Sequence, residues 1–141
     1  MAPAYFVTAL ADHDPQDSAF HAAVRQRAAA TGERGWQSVR DEMAAATGHL
    51  REVGLENQPP IRVLDGLAME VDDYLRTRLV ELCVHCTDLA DSLGCDPPEL
   101  PDQAWSEVAR VVGETAILRN GPTAFTLALS RPGRFGPAAA F

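Results

Sequence analysis

The chain has 141 residues, 46% of them hydrophobic and with no block of like charge, which is enough for one domain with a real core and too apolar for a disordered chain. Twelve basic against twenty acidic residues leave a formal net charge of −8, which repels polyphosphate and disfavours DNA and RNA as partners. Every basic residue is arginine, which excludes chemistry that needs a lysine amine, such as Schiff-base formation or a phosphate-binding P-loop.

In chain order, Tyr5 to Ala11 reads as a short helical piece that stops at Asp12 to Asp14. Asp14 followed by Pro15 has the form of an N-cap with proline in the first turn, and predicts a helix to about Thr31, with Phe20, Val24 and Ala28 on one side and Gly32 past its end. Trp36 to Val53 carries Trp36, Val39, Met43, Ala46, Leu50 and Val53 at spacings of three and four, an amphipathic helix ended by Gly54 and weakened by Gly48. Ile61 to Leu64, Asp65-Gly66 and Leu67 to Val71 form a small β-hairpin with a favoured turn. Asp72 can cap a long helix from Val71 to Leu93, closed by Gly94. Pro101 begins a helix to about Arg119 with Trp105, Val108, Val112, Thr115 and Ile117 or Leu118 on its apolar side. Asn120-Gly121-Pro122 breaks it before a final helix, Thr123 to Ser130, and the tail beyond docks, if at all, through Phe135 and Phe141. The expected class is all-α, with the hairpin placed before the long helix.

That long helix holds the best functional clue. At about 100° per residue, Tyr74, Arg78, Glu81, His85 and Asp88 fall in one narrow sector, beside a heptad-like stripe of Leu75, Leu79, Leu82, Cys86, Leu89 and Leu93 that is expected to be buried. Ionisable groups on the flank of a core must pair, bind a metal or line a cavity. Glu81 and His85, at i and i+4, are near enough to share one divalent ion such as Zn²⁺, although a catalytic zinc usually needs three protein ligands. The alternative is an Arg78–Glu81 ion pair beside a hydrogen-bonded core histidine.

Cys83 and Cys86 form CVHC, a redox or zinc pattern in other settings. Here they sit mid-helix and read better as small core residues, with Cys95 exposed in a loop. Three clustered cysteines fit reduced thiols in a cytoplasmic protein. MAPAYFVTALA lacks a basic export region, and no stretch approaches the roughly 18 apolar residues of a membrane span. His13, His21 and His49 read as surface residues, and Trp36 and Trp105 as core anchors.

Asp65-Gly66-Leu67-Ala68-Met69, then Asp73-Tyr74-Leu75-Arg76-Thr77-Arg78-Leu79-Val80-Glu81-Leu82 and Val84-His85, with Asp88-Leu89-Ala90 and Leu93-Gly94, resemble the metal-binding helix of the mycothiol-dependent maleylpyruvate isomerase family, which belongs to the DinB-like helical bundles. ELPDQAW and GPTAFTLALS resemble the helices that follow it. The resemblance implies a DinB-like bundle, a divalent metal, usually zinc, on Glu81 and His85, and mycothiol as the thiol that the metal activates for attack on a small electrophilic substrate. Arg78 would orient Glu81 or an anionic substrate, and Asp88 would hold the His85 imidazole.

The family's third ligand is a histidine from an earlier helix, in a segment of the type W-T-x-x-D-x-x-x-H. Trp36-Gln37-Ser38-Val39-Arg40-Asp41, with His49 downstream, has a different spacing. The expectation is therefore a bundle short at its N-terminal end, with two of three metal ligands and an apolar groove that a second copy covers in a homodimer. A catalytically inactive interaction or dimerisation module is the competing reading.

Overall fold

The computed structural model describes residues 2–9, 19–54, 58–63 and 68–131. In chain order these form α1 (Ala2–Ala9), α2 (Ala19–Glu33), α3 (Gly35–Val53), β1 (Ile61–Arg62), β2 (Ala68–Met69), α4 (Val71–Leu93), α5 (Asp102–Asn120) and α6 (Pro122–Ser130). The architecture is an all-α helical bundle with a small hairpin. It divides into two compact units, Met1–Ala11 with Pro59–Phe141, and Asp12–Gln58.

In the first unit α5 packs on both α1 and α4, α1 also touches α4, and α6 lies on α5. The shared core is Ala2, Phe6, Val80, Cys83, Val108 and Val111, with Tyr5, Leu79, Val84, Leu100 and Val112 packed around it. Small inward side chains let the helices approach closely. The buried hydroxyls are satisfied locally, Thr77 Oγ1 donating to the Tyr74 carbonyl at 2.7 Å and Thr115 Oγ1 to the Val111 carbonyl at 2.8 Å. The hairpin pairs Ile61 with Met69 and Arg62 with Ala68, antiparallel and two residues per strand, shorter than expected; its Asp65-Gly66 turn lies outside the described residues.

Of the leucine stripe of α4, Leu79 packs against the core, but the stripe does not form it. Thr77, Val80, Cys83 and Ala90 are buried, whereas Leu82, Leu89 and Leu93 are 49%, 59% and 69% exposed. At 100° per residue the two sets point to roughly opposite sides of α4, and α1 and α5 take the side with small residues. Neither tryptophan is a core anchor, Trp36 being 71% and Trp105 41% exposed. On α5 the inward positions are Val108 and Thr115, as expected, with Val111 and Ala116 beside them, and Leu118 faces out.

Helix ends follow backbone more than side-chain caps. Glu70, not Asp72, occupies the cap of α4 without a side-chain bond, which leaves Asp72 and Asp73 in the first turn where their charge suits the helix dipole. Gly94 ends α4 in the left-handed region at φ 64°, with its N–H and that of Cys95 returning to the Asp91 and Ala90 carbonyls at 3.1 and 3.0 Å.

In the second unit α2 continues through Gly32 to Glu33, and the break comes at Arg34–Gly35 instead, where Gly35 takes φ 77°. Arg34 spans the joint with a two-pronged bond to Glu42, Nη2 to Oε2 at 2.7 Å and Nη1 to Oε1 at 3.2 Å. Gly54 ends α3 as expected. No side chain described in α2 or α3 is buried. The Asp14–Pro15 cap, and Phe135 and Phe141 of the tail, fall outside the described residues.

Candidate functional site

The polar line occupies one flank of α4, and the structure divides it in two. At the N-terminal end, Arg78 is half-buried between two rings, its guanidinium carbon 5.8 Å from the centroid of Tyr5 and 5.2 Å from that of Tyr74. Its Nη2 donates to the Tyr5 hydroxyl at 3.3 Å and its Nε to Thr77 Oγ1 at 3.2 Å. No Arg78–Glu81 ion pair forms. The rings of α1 and α4 hold the arginine instead, and among the described residues it has no carboxylate partner.

At the C-terminal end, Glu81 and His85 meet, with Oε2 and Nε2 3.2 Å apart. One helical turn separates them, so both side chains stand on the same flank. Asp88 Oδ2 lies 3.9 Å from His85 Nδ1, within ion-pair range but beyond a hydrogen bond. The side chains of His85 and Asp88 are 73% and 71% exposed and that of Glu81 40%. The expected convergence of Glu81 and His85 therefore holds, but on an open surface. Two grooves on the first unit, of about 590 and 360 Å³, are lined by other residues.

Zinc was the cofactor implied for this pair. Glu81 and His85 supply two donors for it, and among the described residues no group of three or more His, Cys, Asp and Glu side chains is placed to hold a metal ion. His21 and His49 lie on α2 and α3, and His13 falls outside the described residues. The cysteines do not help. Cys83 is buried, and that burial, with Cys86 nearby, pushes its thiol above the ordinary range, which makes it a poor ligand and nucleophile at neutral pH. Cys86 is partly covered, and Cys95 is exposed as expected.

The sequence reading missed a second charged cluster. Arg76 Nε donates to Glu107 Oε1 at 2.7 Å and its Nη1 to Asp73 Oδ1 at 3.1 Å, while Arg110 binds Glu107 through two bonds and Glu114 through one at 2.8 Å. Arg110, then Arg76, hold the Glu107 carboxyl below its usual range. The Asp73–Arg76, Glu107–Arg110 and Arg110–Glu114 spacings of three and four were visible in the sequence; the Arg76–Glu107 bond that ties α4 to α5 was not.

Comparison with known proteins adds no identity: the chain matches no family model, no curated protein and no solved structure. Among the described residues no helix is long and apolar enough to cross a membrane.

Proposed function

We propose that the flank bearing Arg78, Glu81, His85 and Asp88 is the chain's working face, and that the protein acts in the manner of the mycothiol-dependent maleylpyruvate isomerases it resembles. On this reading it is a DinB-like bundle of the cytoplasm that binds a divalent metal and takes part in thiol-dependent isomerase or transferase chemistry on a small electrophilic molecule. The observation that carries it is the meeting of Glu81 and His85 at 3.2 Å, a carboxylate and an imidazole presented together to one approaching cation. Arg78, without a carboxylate partner among the described residues, keeps its charge for an anionic group on a substrate. Asp88 stands close enough to His85 to fix the imidazole after a small side-chain rotation. Two protein donors hold zinc weakly and exchange it readily, so no reaction step is assigned to metal or thiol.

The test is metal titration of the purified full chain. Weak zinc uptake that disappears in both Glu81→Gln and His85→Ala supports the reading, and wild-type protein that takes up no more zinc than His85→Ala overturns it. Stoichiometric, tightly held zinc that is lost in His49→Ala or His21→Ala would instead show that a third donor completes the site.

A second reading has its own support. The exposure of the Glu81–His85 pair and of Trp36, Met43, Leu50 and Val53 on α3 favours a catalytically inactive dimerisation module. Absence of zinc binding together with a stable dimer would select it.

A further inference from the structure

Helix α3 carries Trp36, Val39, Met43, Ala46, Leu50 and Val53 at steps of three, four, three, four and three residues. That is the narrow seam of a coiled coil and not the wider stripe of a core-facing helix. Its large side chains are exposed, Trp36 71%, Met43 60%, Leu50 45% and Val53 49%. In proteins most helical stability comes from packing of such an apolar face rather than from intrinsic propensity.

We propose that α3 pairs antiparallel with α3 of a second copy across a two-fold axis. The step pattern reads the same in both directions, so one register uses every seam position at once. Trp36 then faces Val53 of the partner subunit, Val39 faces the partner's Leu50, and Met43 faces the partner's Ala46, and the two-fold repeats each contact. Every contact sets a larger side chain against a smaller one, which two parallel copies, matching each residue with itself, would not do.

The flanks agree with this register. Glu42 falls beside the partner's His49 and Arg40 beside the partner's Thr47, so no like charges meet. The exposed leucines of α4 are a poorer surface for self-pairing. Glu81, Asp88 and Asp91 surround them with no arginine between Glu81 and Leu93, and two copies would bring carboxylates together. A seam of this length covers roughly 500 Å² per partner, at the low end of specific interfaces, which corresponds to micromolar rather than nanomolar association. The proposal does not depend on the Glu81–His85 reading, because α3 carries neither residue.

Sedimentation velocity on the full chain, across the micromolar range, should show a reversible dimer. Met43→Glu should raise its dissociation constant at least about tenfold, as should Trp36→Ala, whose milder change guards against misfolding, while Leu89→Glu on α4 should leave it unchanged. The orientation is read from Val39→Cys/Leu50→Cys oxidised with copper–phenanthroline. These positions lie roughly 16 Å apart along one helix, too far for a bridge within one copy. Disulfides between position 39 of one copy and position 50 of the other, mapped by mass spectrometry, support the proposal. A monomer throughout, a dimer indifferent to Met43→Glu and Trp36→Ala, or disulfides joining like positions would overturn it.

Discussion

Helices α1, α4 and α5 share a core built from one phenylalanine and several small side chains, whereas α2 and α3 bury none of their described side chains. The more regular apolar pattern in the sequence belongs to α3, the region with less burial. The difference shows that periodicity reports which face a helix keeps dry and not whether its own chain keeps it dry. In the first unit burial follows close approach, since alanine, cysteine, threonine and valine let three helices meet. On α3 the larger Trp36, Met43 and Leu50 are exposed, at 71%, 60% and 45%.

The largest effect that would test this contrast comes from truncating the two biggest side chains involved. Phe6, 2% exposed at the centre of the α1, α4 and α5 core, should lose about 3 to 5 kcal/mol on Phe6→Ala through lost transfer energy and the cavity left behind. Trp36→Ala removes a larger side chain but should cost less than about 1 kcal/mol when measured below the concentration at which copies associate. Urea denaturation of both variants decides the matter. Equal losses would mean that Trp36 belongs to a core.

A smaller and more local contrast lies within α4. Val80 is 1% exposed and Leu82, two residues on, 49%. Val80→Ala should therefore cost roughly 1 to 3 kcal/mol, and Leu82→Ala below about 1, against the usual expectation that the larger aliphatic matters more. The reverse order in chemical denaturation would put the leucine stripe back in the core.

That reversal marks where the sequence was legible and where it was not. Helix existence and several boundaries could be read because Gly54, Gly94 and Gly121 adopt positive φ just past helix ends, a requirement visible in residue type alone. The Glu81–His85 pairing could be read because i and i+4 always meet on a helix surface. The inward phase of α4 could not, because leucine outweighs threonine and cysteine in any hydrophobicity count while packing here rewards small size. The fate of Arg78 was equally hidden, since its choice of Tyr5 over Glu81 depends on a helix 73 residues away in sequence.

Acid should act on the first unit through Glu107. Its folded-state pKa is depressed, so its contribution to stability is present above the unfolded value of about 4.3 and is lost as pH falls through the folded one. Denaturation midpoints measured from neutral to acid pH should decline below about pH 4 in the wild type, and that decline should be shallower in Glu107→Gln. A wild-type curve that superposes on the variant would show that the Arg76–Glu107–Arg110 cluster does not tie α4 to α5 in solution.

The smallest effect belongs to α3 and has the opposite sign. Gly48 is helical, lies two residues before Leu50, and falls on the side of α3 away from the seam; a Cβ built there meets nothing within 4 Å. Alanine at this position removes freedom from the unfolded chain without a clash, so Gly48→Ala should stabilise α3 by about 0.5 to 1 kcal/mol. Because α3 draws little from burial in its own chain, the gain should appear as added helix by circular dichroism at low concentration, and as a slightly tighter dimer if the seam is the interface. In a well-packed core helix the same substitution is judged by what surrounds it, and here no atom of the described residues outside the helix's own backbone lies within 4 Å of the added Cβ. A loss of helix or of stability would mean that Gly48 is in contact with something this structure leaves open, and that the α3 face opposite the seam is the one that is covered.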